Sequence, residues 1–170
     1  MYLGHHACQR PDRPALIVAE TGEALTYSCL EGRSNRAARA LRALGLKADD
    51  TIAVLLPNIP EYLEVAWAAL RSGMYLTPLN TYMTVEEIAY IVNDCGAKAI
   101  VASTTFVEKL APLHAMLDDS VSRIIVGGTL DAWRDYAALT SAESEAPLSD
   151  ESVGAIHCYS SGTTGRPKGV

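Results

Sequence analysis

The strongest constraint on the fold is a rhythm. Short apolar runs rich in β-formers begin at residues 52, 75, 99, 123 and 153: IAVLL, YLTPL, AIVA, RIIVG and VGAIHC. Neighbouring parallel strands need a crossover of a dozen or more residues, and each gap is long enough for a helix to bring the chain back. The gaps carry helix punctuation. Ser28 with Glu31, Asn58 with Glu61 and Thr84 with Glu87 each read as a capping box, and Gly45, Gly73 and Gly96 follow as stops. Between these signals the apolar residues share one helical face: Leu30, Ala37, Ala38, Leu41 and Leu44, then Leu63, Ala66, Trp67 and Leu70, then Ile88, Ile91, Val92 and Cys95. Phe106, Leu110, Leu113 and Leu117 outline a fourth helix. Repeated strand–helix units of this kind predict an α/β fold with parallel-sheet layers flanked by helices.

The chain divides into an edge-hairpin region (1–27), the repeated β–α units (28–158) and a terminal loop (159–170). Pro14 to Tyr27, with a turn at Thr21-Gly22, reads as a hairpin packed on the sheet edge. SAESEAPLSDES (141–152) reads as a loop whose charges form a solvated surface rather than a metal site. A formal charge of −6 and a pI near 5.1 lack the basic surplus of a nucleic-acid binder. No apolar stretch reaches the roughly 18 residues of a membrane span, and the N-terminus has no signal-peptide core, so a cytoplasmic location is expected. Cys8, Cys29, Cys95 and Cys158 lie far apart without CxxC pairing, which predicts buried reduced thiols and no zinc site. Tyr62 and Trp67 read as packing residues, His5 and His6 as a surface pair, and His157 as a hydrogen-bonded strand residue.

The most informative stretch is YSSGTTGRPKGV, Tyr159 to Val170. Gly162, Gly165 and Gly169 let the backbone turn so that amides converge on an anion, Ser160, Ser161, Thr163 and Thr164 add hydroxyls, and Lys168 and Arg166 add positive charge. The motif follows directly on a strand, so it is expected beyond the carboxyl ends of the sheet, where α/β folds bind ligands. A Walker A loop aligned on Gly162 and Lys168 fails, because Pro167 and Gly169 stand where glycine and a magnesium-binding hydroxyl are needed. A GxGxxG dinucleotide loop fails at Thr164. One lysine does not neutralise a triphosphate, which implies a divalent cation, magnesium.

YSSGTTGRPKG closely resembles the phosphate loop of the adenylate-forming superfamily, the AMP-forming acyl-CoA synthetases and their relatives. Leu25 to Val101 resembles the opening segment of the same family, including the Leu-Pro-Asn turn at 56–58 and Pro78-Leu79-Asn80. The latter, with IVNDCGA (91–97), is most similar to the acyl-CoA ligase branch, although Tyr82 stands where that branch commonly has arginine. The resemblance covers essentially the whole chain, as the N-terminal portion of the large domain of such an enzyme.

What the resemblance implies is a ligase joining a fatty acid or related carboxylic acid to the α-phosphate of ATP, with release of pyrophosphate, and then passing the acyl group to coenzyme A. Ser160, Ser161, Gly162, Thr163, Thr164, Gly165 and Lys168 would hold the ATP, with Thr163, Thr164 and Lys168 touching the β- and γ-phosphates. No catalytic residue and no protein metal ligand falls in these 170 residues, since the family's catalytic lysine belongs to a later domain. The piece alone is therefore expected to be inactive and, with its sheet cut short, to self-associate. Two alternatives stay open at this point: part of a peptide-synthetase adenylation domain, and a non-catalytic α/β interaction module that retains the loop.

Overall fold

The computed structural model describes residues 2–160 and 167–170. Its centre is a six-stranded, all-parallel sheet with the order β7-β6-β5-β3-β4-β8. The strands are β3 (Thr51–Leu55), β4 (Tyr75–Pro78), β5 (Ala97–Ser103), β6 (Ser122–Val126), β7 (Arg134–Asp135) and β8 (Ala155–Ile156). All five residues of β3 are buried, as a strand covered on both faces requires.

Helices α2 (Tyr27–Ala43), α3 (Pro60–Arg71) and α6 (Tyr136–Ser141) cover one face, packing on Ile52, Val54, Leu76, Val101 and Ile124. Helices α4 (Val85–Asp94) and α5 (Val107–Met116) cover the other, packing on Ala53, Leu55, Ile100, Ala102 and Ile125. The alternation Ile52-Ala53-Val54-Leu55 between the two cores follows from the two-residue period of a strand. Connections that move toward β8 (α3, α6) run over the first face, and those that move toward β7 (α4, α5) run over the second. Right-handed crossovers demand that reversal.

The four strands at 51–55, 75–78, 97–103 and 122–126 stand where the apolar runs put them, and Gly45, Gly73 and Gly96 close their helices at φ +93°, +72° and +62°. The box at Thr84 is present in full: its hydroxyl accepts from the Glu87 amide while the Glu87 carboxylate accepts from the Thr84 amide. The other two caps need correction. Thr26, not Ser28, caps α2 by accepting from the Cys29 amide, because β2 (Ala24–Thr26) ends there in extended backbone. At α3 no side chain caps the helix; Pro60 at its first turn fixes the entry instead.

The hairpin is real but misplaced by sequence reasoning. β1 (Pro14–Ile17) and β2 pair antiparallel as a separate two-stranded sheet and pack against α2 rather than extending the main sheet. A helix α1 (Tyr2–Gln9) precedes them, which periodicity over so short a stretch did not reveal. The stripe on α3 is also shifted. Glu64, Val65, Ala66, Ala68, Ala69 and Arg71 are buried, whereas Leu63, Trp67 and Leu70 are only half-buried. Of the cysteines, all free, Cys29 and Cys95 are half-buried, but Cys8 and Cys158 are exposed, against the expectation of burial. Among the described residues no helix is long and apolar enough to cross a membrane.

Candidate functional site: the neck of the phosphate loop

β8 leads into a tight antiparallel pair, β9 (Tyr159–Ser160) with β10 (Lys168–Gly169), in the register Ser160 opposite Lys168 and Tyr159 opposite Gly169. The Val170 amide donates to the Cys158 carbonyl at 2.9 Å and extends the pairing by one step. The Ser160 hydroxyl lies 3.5 Å from the Lys168 carbonyl, and both side chains are exposed. The chain is thus pinched shut on either side of the motif. Ser161, Gly162, Thr163, Thr164 and Gly165 lie outside the described residues. Of the candidate residues, Ser160 and Lys168 are brought together across the strand pair.

Gly169 has a local reason of its own. A Cβ built there would sit 2.5 Å from Nε2 of His157, so a side chain at that position would require the His157 ring to move. His157 itself is half-buried, its amide donating to the Leu76 carbonyl and its ring 5.2 Å from that of Tyr159.

The placement of the neck corrects one expectation. β8 pairs only with Tyr75 and Leu76, the first two residues of β4. Tyr159 then donates to Oδ2 of Asp94 at 2.6 Å, in the last turn of α4, and Val170 shares a surface hollow of roughly 440 Å³ with Thr51 and Tyr75, the first residues of β3 and β4. The described ends of the motif therefore stand beside the β4 edge near the amino ends of the strands, not beyond the carboxyl ends. A strand only two residues long releases the chain before it has run the height of the sheet. Burial, reinforced by the neighbouring Asp94 carboxylate, pushes the Tyr159 phenol far above its ordinary range, so it is a hydrogen-bond donor at any physiological pH.

Two buried polar groups lie between α2 and α3, and periodicity gave no sign of them. Glu64 accepts from Tyr136 Oη at 2.9 Å and from Arg33 Nη1 at 3.2 Å. Burial raises its pKa despite those two donors, and burial together with Glu64 raises that of Tyr136 well above normal. Arg71, fully enclosed, donates to both oxygens of Glu31 at 2.8 and 2.5 Å, to Glu151 Oε1 at 2.8 Å and to Asn35 Oδ1. The acidic segment is largely exposed, as expected, and three of its carboxylates also pair with arginines. Glu145 pairs with Arg36, Asp150 with Arg42 and Glu151 with Arg71. Among the described residues no group of three or more His, Cys, Asp or Glu could hold a metal ion.

This geometry defines a doubly wound α/β layer whose last strand feeds a hairpin-closed loop rich in glycine and hydroxyls. Residues 3–170 match the family of AMP-binding enzymes, and the chain belongs to that family. It is 36% identical to 4-coumarate–CoA ligase 3 of Oryza sativa subsp. japonica, over 93% of this chain and 28% of the relative. It is 32% identical to the fatty acid–acyl-carrier-protein ligase ScoC of Streptomyces coeruleorubidus, over 97% of this chain and 31% of that protein. The crystal structure of the anthranilate CoA ligase AuaEII in complex with anthranoyl-AMP superposes with a TM-score of 0.90 at 21% identity, over 99% of this chain and 33% of that one. The chain thus spans about three tenths of the length of the relatives it matches.

Proposed function

We propose that this chain is the part of an ATP-dependent acid–CoA ligase that holds the polyphosphate of ATP. The observation that carries the reading is the β9–β10 neck, which sets Ser160 opposite Lys168 and closes a loop of sequence SGTTGRP between them. In the proposed reaction a carboxylate oxygen of the acid attacks the α-phosphorus, pyrophosphate leaves, and the thiol of coenzyme A then takes the acyl group from the adenylate. A carboxylate is a weak nucleophile, so rate depends on alignment and on neutralising charge on the departing group. Thr163, Thr164 and Lys168 are assigned the β- and γ-phosphates, and Ser160, Ser161, Gly162 and Gly165 the turn that lets backbone amides converge. The acid is of the kind its relatives are named for, a hydroxycinnamic or fatty acid. Magnesium would accompany the nucleotide through the phosphates themselves, and no residue described here is assigned to it.

Thr164→Val in the intact enzyme tests the assignment. Losing one donor aimed at a leaving group in an enclosed site costs about 2.7–4 kcal/mol, so pyrophosphate release should fall about 10²- to 10³-fold with the melting temperature unchanged. An unaltered rate removes the loop from the reaction.

A further inference from the structure

The segment that delivers the chain to the phosphate loop is held in a fixed order. Along α2, Arg36 pairs with Glu145 at 3.0 Å and Arg42 with Asp150 at 2.7 Å, while Arg39 reaches the Pro147 carbonyl at 3.4 Å. These contacts climb the helix in three-residue steps, so the acidic segment runs parallel to α2. Their carboxylates are more than half exposed, and exposed pairs contribute little. The next contact differs in kind. Glu151 meets Arg71, whose side chain is completely enclosed and whose two terminal guanidinium nitrogens also donate to Glu31 and Asn35 on α2.

Immediately after it the backbone docks in step along residues 70–76. The amide of Ser152 donates to the Arg71 carbonyl, that of Gly154 to Leu70, that of Ala155 to Met74 and that of His157 to Leu76. The docking is close: a Cβ at Gly154 would lie 2.2 Å from the Met74 oxygen. The neck begins to close at Cys158, the residue after His157.

We infer that Arg71, acting through Glu151, is a positioning residue for the phosphate loop. It fixes the level at which 151–157 docks against 70–76, and hence where the Ser160–Lys168 neck stands. The inference rests on the reading of that loop as the holder of the β- and γ-phosphates.

The test uses the intact protein and calorimetric binding of two probes: AMP-PNP, which carries those phosphates, and AMP, which lacks them. Glu151→Ala leaves the Arg71–Glu31 pair in place and removes the Arg71–Glu151 link to the segment that leads to the loop. It should weaken AMP-PNP about tenfold and AMP less than about twofold. Glu151→Gln, which keeps an acceptor oxygen, should recover part of the loss. Arg71→Met should act in the same direction, but Glu151→Ala decides should that variant fail to fold. Equal weakening of both probes, or no change in either, overturns the inference. Thr164→Val separates the two readings. If it weakens AMP-PNP while Glu151→Ala does not, only the positioning role falls; if it is silent, the loop reading fails and this inference with it.

Discussion

The two helical layers solve the same packing problem with different materials. Beneath α4 and α5 the contacts are almost wholly apolar: Ile88, Ile91, Val92, Leu110 and Leu113 lie against the sheet. Beneath α2 and α3 the apolar core shares its space with Glu64, Asn35, Glu31 and Arg71, and Glu64 is the one buried carboxylate among the described residues. Apolar burial is non-directional and tolerates small rotations of a helix, whereas a network of hydrogen bonds accepts only one arrangement. The α4/α5 side stabilises the sheet. The α2/α3 side fixes where things are, and it is the side against which the acidic segment lies on its way to the loop.

Removing one partner from a buried ionic network leaves the others desolvated and unpaired. Arg71→Met should therefore lower stability by about 3–5 kcal/mol in urea unfolding. A loss below about 1 kcal/mol would erase the distinction between the layers. On the apolar side, Leu110→Ala should cost about 2–5 kcal/mol, the transfer term plus an unfilled cavity, and should leave AMP-PNP affinity untouched once folding is saturated. The smallest effect is electrostatic. The pKa of Glu64 is raised on folding, so the folded state holds that proton more tightly than the unfolded state does. Its contribution is full below the ordinary value of 4.5 and is lost as pH rises through the raised folded value. Asp118 and Asp150, whose values are lowered from 3.8, act in the opposite sense and at lower pH. Glu64→Gln should flatten the fall in melting temperature just above pH 4.5, and a slope identical to that of the parent would remove Glu64 from the account.

Sequence pattern reached the central strands, the glycine stops and the Thr84 box because each is written in consecutive residues. It failed where the determinant is distant. Arg71 and Glu64 look like ordinary surface charges on α3, yet their partners are 31 to 80 residues away in the chain, at Arg33, Glu31, Tyr136 and Glu151. The acidic run 141–152 is largely exposed, as its composition suggested, but its pairing with Arg36, Arg42 and Arg71 was hidden for the same reason. The Asn58 cap was overruled by its neighbour, since Pro60 already pre-sets the backbone of the first turn. For the site, the motif was legible, but the pairing of Ser160 with Lys168 was not foreseen. Nor was the level of the neck, because it depends on β8 being only two residues long, which no local alternation specifies.

The Ser160–Lys168 pairing has one further consequence. Bringing together the ends of a free segment as long as the seven residues 161–167 carries a loop-closure entropy whose logarithmic part is about 1.7 kcal/mol. Here main-chain bonding within the protein closes the ends before any nucleotide arrives, so that cost belongs to folding and not to association. If the segment holds phosphate as proposed, joining its ends in advance would strengthen that binding about twentyfold over a segment whose ends the ligand had to bring together.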